Sequence, residues 1–131
     1  MKTIFFACAD PDRVEPLQRS LQDAGFAVQF VPQGSLLLDE LEHMPADMVI
    51  MYGELPDVSR ITLTRLLRGD LRLEHTYILL MGDDQDEKEH LLGFEAGADL
   101  CLSGIVQPNV LVARVRAMLR RIPRTQKLAS L

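Results

Sequence analysis

Apolar runs and helical segments alternate five times along this chain, and that alternation limits the fold more than any other feature. Three apolar runs are continuous: Ile4–Ala9, Met48–Met51 and Tyr77–Met81. Two weaker ones, Ala27–Val31 and Asp99–Leu102, keep the same rhythm. Runs this short and unbroken read as strands buried on both faces. Between them, apolar residues recur at helical spacing. Val14, Leu17, Leu21 and Ala24 mark a first helix, with Asp10 as its cap, Pro11 in its first turn and Gly25 at its end. Leu36, Leu37, Leu38 and Leu41 mark a second. Ile61, Leu63, Leu66 and Leu67 mark a third, between the cap residue Ser59 and Gly69. Leu91, Leu92, Phe94 and Ala96 mark a fourth, ended by Gly97. Leu111, Val115, Met118, Leu119 and Ile122 mark a fifth, which Pro123 stops. Short joints and strands apolar throughout call for an α/β fold: a parallel sheet with helices on both faces.

At 131 residues the chain is expected to form one domain over residues 1–121. Residues 122–131 then form a tail, or a linker to an output domain. No apolar run approaches the roughly 20 residues of a membrane span. The opening MKTIFFACAD runs at once into Asp10-Pro11-Asp12, so it reads as a first strand and the expected location is cytoplasmic. The net charge of −5 argues against a domain body that grips nucleic acid. The charge is uneven, however. DDQDEKE, at residues 83–89, is acidic, whereas no acid follows Val110. Two cysteines, Cys8 and Cys101, are too few for a disulfide framework or a zinc site.

In an open parallel sheet, chemistry gathers outside the carboxyl ends of the strands. At the end of the third strand, MVIMYGELPD puts Tyr52 and Gly53 there. The glycines Gly53, Gly82 and Gly104 border the same end. They admit two readings: a crevice for a small ligand, or loops freed of constraint. No GxGxxG or P-loop spacing is present.

Several passages resemble the receiver domain of bacterial two-component response regulators. ADPDRVEPLQRSLQDAGFAV resembles that family's first loop and helix. PADMVIM with LPD resembles its third strand and loop. FEAGADLCLS resembles its Glu-Ala-Gly-Ala-Asp passage into the fifth strand, and NVLVARVRAMLRR its last helix. The similarity covers about residues 2 to 121, and Glu95-Ala96-Gly97-Ala98-Asp99 is its most specific piece. The resemblance implies a flavodoxin-like three-layer sandwich with strand order 2-1-3-4-5.

The family's chemistry is phosphoryl transfer to an aspartate at the end of the third strand. Acids ending the first strand hold magnesium beside it, a Thr or Ser ends the fourth strand, and a Lys follows the fifth. Carboxylates suit a hard cation, and the cation and lysine offset phosphate charge. Carried over position by position, the acid pair falls on Cys8 and Ala9, and the phosphoacceptor on Tyr52. The hydroxyl falls on Gly82, the lysine on Gly104 and the proline after it on Ile105. The switch aromatic falls on Cys101. A one-residue slip restores nothing. Asp10 and Asp12 lie past the strand end, and Asp47 sits at the strand start, some 13 Å away.

Tyr52 is accordingly expected to plug the emptied pocket, with phosphotyrosine or ligand contact as the sharper alternatives. Cys8 and Cys101 lie three strands apart in the implied order, about 14 Å. A disulfide needs Cα atoms within about 7 Å, so both read as buried small hydrophobes. His43, His75 and His90 lack ligand spacing, and no metal or cofactor is expected. The fourth helix, fifth strand and fifth helix offer Glu89, Glu95 and Asp99 against Arg114, Arg116, Arg120 and Arg121. That surface would suit a protein partner or a homodimer, given an apolar centre. The expected function is a non-enzymatic signalling domain that acts through protein contact without aspartyl phosphorylation, within a regulator of transcription. DNA would be met only by a separate output domain. The alternative is a small nucleotide- or flavin-binding α/β module.

Overall fold

A computed structural model describes residues 1–82, 87–104 and 106–120. Five parallel strands, β1 (Thr3–Cys8), β2 (Ala27–Val31), β3 (Met48–Tyr52), β4 (Tyr77–Gly82) and β5 (Leu100–Ser103), form one sheet in the order β2-β1-β3-β4-β5. The order is the one expected. Five helices connect and cover them: α1 (Pro11–Asp23), α2 (Gly34–His43), α3 (Arg60–Arg68), α4 (Glu87–Ala96) and α5 (Pro108–Leu119).

Alternation along each strand splits the core in two. Phe5, Ala7, Val49, Met51, Ile78 and Leu80 face one side, where Leu37 and Leu41 of α2 and Leu63 and Leu67 of α3 cover them. Ile4, Phe6, Cys8, Met48, Ile50 and Met81 face the other, beneath Val14, Leu17 and Leu21 of α1 and Leu111 and Val115 of α5. β1, β3 and β4 are therefore buried on both faces, which explains why their interiors are apolar throughout, with Thr3, Tyr52 and Tyr77 only at strand ends. The edge strand β5 is half-buried along its length.

Local chemistry sets the helix starts. The Asp10 carboxylate accepts from Asp12 N at 3.1 Å, and the Ser59 hydroxyl from Thr62 N at 3.1 Å. Both caps are the expected ones. The start of α2 is capped from a distance: Asp57 accepts from Gly34 N at 2.8 Å and Ser35 N at 2.9 Å. A 3-10 turn at Leu71–Leu73, capped by Asp70, was not expected.

Several boundaries differ from expectation: β1 starts one residue earlier, at Thr3, and β3, β4 and β5 each run one residue further, to Tyr52, Gly82 and Ser103. The first strand ends at Cys8, and Ala9 is exposed as the chain bends into the Asp10 cap. The fifth begins at Leu100, because the Asp99 side chain is used before pairing starts: it accepts from Ile78 N at 2.8 Å and from Arg68 Nη2 at 2.5 Å. The last helix closes at Leu119. The expected Ile122 end and the tail beyond it lie outside the described residues, as do Ile105 and Arg121.

Candidate functional site

Parallel pairing brings the expected positions to one edge of the sheet. Cys8 is the register partner of Tyr52, Tyr52 of Met81, and Gly82 of Ser103. Just past the strands, Gly53 N donates to Met81 O and Gly104 N to Gly82 O, each at 2.9 Å. Cys8, Tyr52, Gly82 and Gly104 are thus collected at the carboxyl ends. Cys101 lies further back on β5, on the α3 side.

None of these side chains suits a hard dication. Cys8 is buried, its thiol donates to Asp10 O at 3.2 Å, and burial pushes its pKa up. That favours the neutral thiol, a poor ligand for an oxygen-seeking ion. Ala9 brings a methyl group and Tyr52 a phenol. Asp10, two residues past Cys8, caps α1. Among the described residues, no three His, Cys, Asp or Glu side chains gather as a metal-holding cluster. The residues at these positions do not fit magnesium.

Tyr52 is half-buried and packs with the α1/α5-side core. The Arg13 guanidinium of α1 lies over its ring, 5.7 Å from the centroid, a cation–π arrangement. On the other side of the sheet edge stands Arg60, the first residue of α3. Its side chain is only 11% exposed. Nη1 donates to Met81 O at 2.7 Å and Nε to Glu54 Oε1 at 3.2 Å. A Cβ on Gly82 would stand 3.2 Å from Nη1, so a side chain at position 82 would push the guanidinium by a few tenths of an ångström. The fork bounds a cavity of about 20 Å³ shared with Gly82, Glu89, His90 and Cys101. That is room for one water, far less than a nucleotide needs.

Sequence reasoning missed Arg60, whose partners lie up to 21 residues away. One signal existed: an arginine opening a helix opposes the dipole and needs another reason to be there. Cys101 is half-buried, and burial raises its thiol pKa. Both cysteines are free, and β3 and β4 separate their strands.

Of the residues expected to form an α4–β5–α5 surface, Glu89 and Glu95 lie on α4, Arg114 and Arg116 on α5, and Arg120 just past its end. Arg116 lines a groove with Ser20 and Asp23 of α1. Asp99, expected in that set, is paired within the chain by Arg68. Large apolar side chains are exposed on the same helices: Leu91 at 59% and Phe94 at 46% on α4, and Val110 at 44% on α5. No helix among the described residues is long and apolar enough to cross a membrane.

Residues 8–116 match the family model for the response regulator receiver domain. The transcriptional regulatory protein GltR of Pseudomonas aeruginosa is 33% identical over 125 residues, which cover 95% of this chain and 52% of GltR. The DNA-binding response regulator MtrA of Mycolicibacterium smegmatis is 34% identical over 112 residues, covering 86% of this chain and 48% of MtrA. The chain therefore spans about half the length of these relatives. The BeF3-activated N-terminal receiver domain of Klebsiella pneumoniae RstA superposes with a TM-score of 0.83 at 28% identity, over 92% of this chain and all of that one.

Proposed function

Given that this chain belongs to the response regulator receiver domain family, we propose that it signals by protein contact without aspartyl phosphorylation. One observation carries the reading. The family's reaction needs a carboxylate, a dication and a charge clamp at one edge of the sheet. This chain places Tyr52, Cys8 and Gly104 there and fills the space beside Gly82 with the Arg60 guanidinium. A phenol without a bound cation or a lysine cannot be phosphorylated by that route. The domain is accordingly not an enzyme.

The contact surface is α4–β5–α5. Leu91, Leu92, Phe94 and Val110 supply apolar area. Glu89 and Glu95 supply one charge sign, and Arg114 and Arg120 the other, which fits a second copy or a partner of similar pattern. Arg116, expected in that set, lines the groove beside α1 instead. In this proposal residues 1–121 make up the receiver domain and 122–131 lead on from it. Half-length coverage of GltR and MtrA supports an output domain beyond it, through which transcription would be controlled.

The test pairs intact-mass spectrometry with sedimentation. After incubation with magnesium and acetyl phosphate, beside an ordinary receiver as positive control, no phosphoryl adduct is expected. An adduct at an acid would contradict the reading. Sedimentation equilibrium of wild type and Phe94→Ser then separates the surface's two uses. Association lost in Phe94→Ser indicates a second copy, and a monomer in both indicates a different partner.

A further inference from the structure

Met81 O accepts two hydrogen bonds, from Gly53 N at 2.9 Å and from Arg60 Nη1 at 2.7 Å. One carbonyl thus ties together the end of β3, the end of β4 and the start of α3. A guanidinium so little exposed stays charged and requires partners. It finds this carbonyl and the Glu54 carboxylate. The backbone beneath it is held as well, because the buried Thr64 hydroxyl donates to Arg60 O at 2.7 Å.

The same guanidinium forms one wall of the small cavity whose other wall is α4, at Glu89 and His90. α4 sits close at that point. A Cβ on Gly93 would lie 2.9 Å from Leu80 Cδ1 and 3.0 Å from Cys101 Sγ. α4 therefore packs closely on β4 and β5 at Gly93, with the Arg60 guanidinium across the small cavity from it.

We propose that Arg60 is a resident strut that holds the end of β4 and the α4 contact face in one arrangement, so that no added group is needed to set it. The inference rests on the phosphorylation-independent reading above and names the residue that makes it work. Arg60 touches no reacting atoms. It is a positioning residue, acting on α4 through Met81, Gly82 and the shared cavity.

Amide hydrogen exchange on the full chain tests it. In Arg60→Ala, the amides of Gly53, Gly82 and Glu87–Ala96 should exchange about ten-fold faster, while the interiors of β1 and β3 stay within about two-fold of wild type. Arg60→Lys keeps the charge but loses the fork, and should show the same pattern at smaller amplitude. It decides the matter if the alanine variant does not fold. Exchange at those amides within about two-fold of wild type in the folded variants would overturn the strut. A magnesium- and beryllofluoride-dependent change in wild type would instead overturn the reading beneath it, so the two failures are distinguishable.

Discussion

Cys8 and Tyr52 face each other across the β1–β3 register at the carboxyl edge of the sheet, a thiol beside a phenol. Both side chains belong to the α1/α5-side core rather than to an open acidic pocket. The pair is held by packing: Cys8 is buried and Tyr52 lies beneath Arg13.

It follows that Tyr52→Asp should damage the fold without creating a receiver site. The change removes a half-buried ring and its cation–π contact, and puts a carboxylate among apolar side chains. A loss of about 2 kcal/mol is expected in denaturant unfolding. Magnesium should leave the variant's melting temperature unchanged, because Cys8 and Ala9 still supply no carboxylate. A saturable magnesium stabilisation would show that Asp10 or Asp12 can serve as ligands.

Arg68 should matter more for stability than any other surface arginine. Nε donates to Gly97 O at 2.7 Å, Nη1 to Thr76 O at 2.7 Å and Leu73 O at 3.2 Å, and Nη2 to Asp99. Gly97 has φ +118°, and a Cβ there would fall 2.3 Å from Arg68 Cγ. The Glu-Ala-Gly-Ala-Asp passage is therefore a seat for this side chain. Arg68→Ala should cost about 2–3 kcal/mol, since several partly buried acceptors lose their donor. Arg68→Lys should recover less than half of that, because an ammonium cannot fork to three carbonyls. Equal stability of all three proteins would refute the clamp.

Asp57 predicts an acid limb in the stability curve. Hydrogen bonds from Ser35 N and then Gly34 N hold its carboxyl below the usual range. A lowered folded pKa means that the anion's contribution is complete above the unfolded carboxylate value, about 3.9. It is lost as pH falls from there through the folded value. Asp57→Asn should melt lower than wild type at neutral pH, with the gap closing below about pH 4. A gap that is constant with pH would mean that the charge on Asp57 contributes nothing to the α2 cap.

The architecture was legible because its causes are local or periodic. Apolar runs gave β1, β3 and β4, and Asp10 and Ser59 announced their helices through neighbours two or three residues on. The sheet order came from the resemblance, and the strand pairing matches it. What fills that edge was not legible. Arg60, Arg68 and Asp57 act on partners 21, 29 and 23 residues away. A charged residue's sequence neighbours do not say which distant carbonyl or amide it will reach. Asp99 shows the same limit. Its spacing suited an intermolecular pair, and folding gave it to Arg68 first.

The most direct measurement is an amide NMR titration of the wild-type chain with magnesium and beryllofluoride, a mimic of the aspartyl phosphate. On the proposed reading no saturable shift at Cys8, Tyr52, Gly82 or Gly104 is expected, since the side chains of Cys8, Tyr52, Gly82 and Gly104 supply no carboxylate. Saturable shifts converging on that edge would contradict the account and place the acceptor on a nearby acid such as Asp10, Asp12 or Glu54.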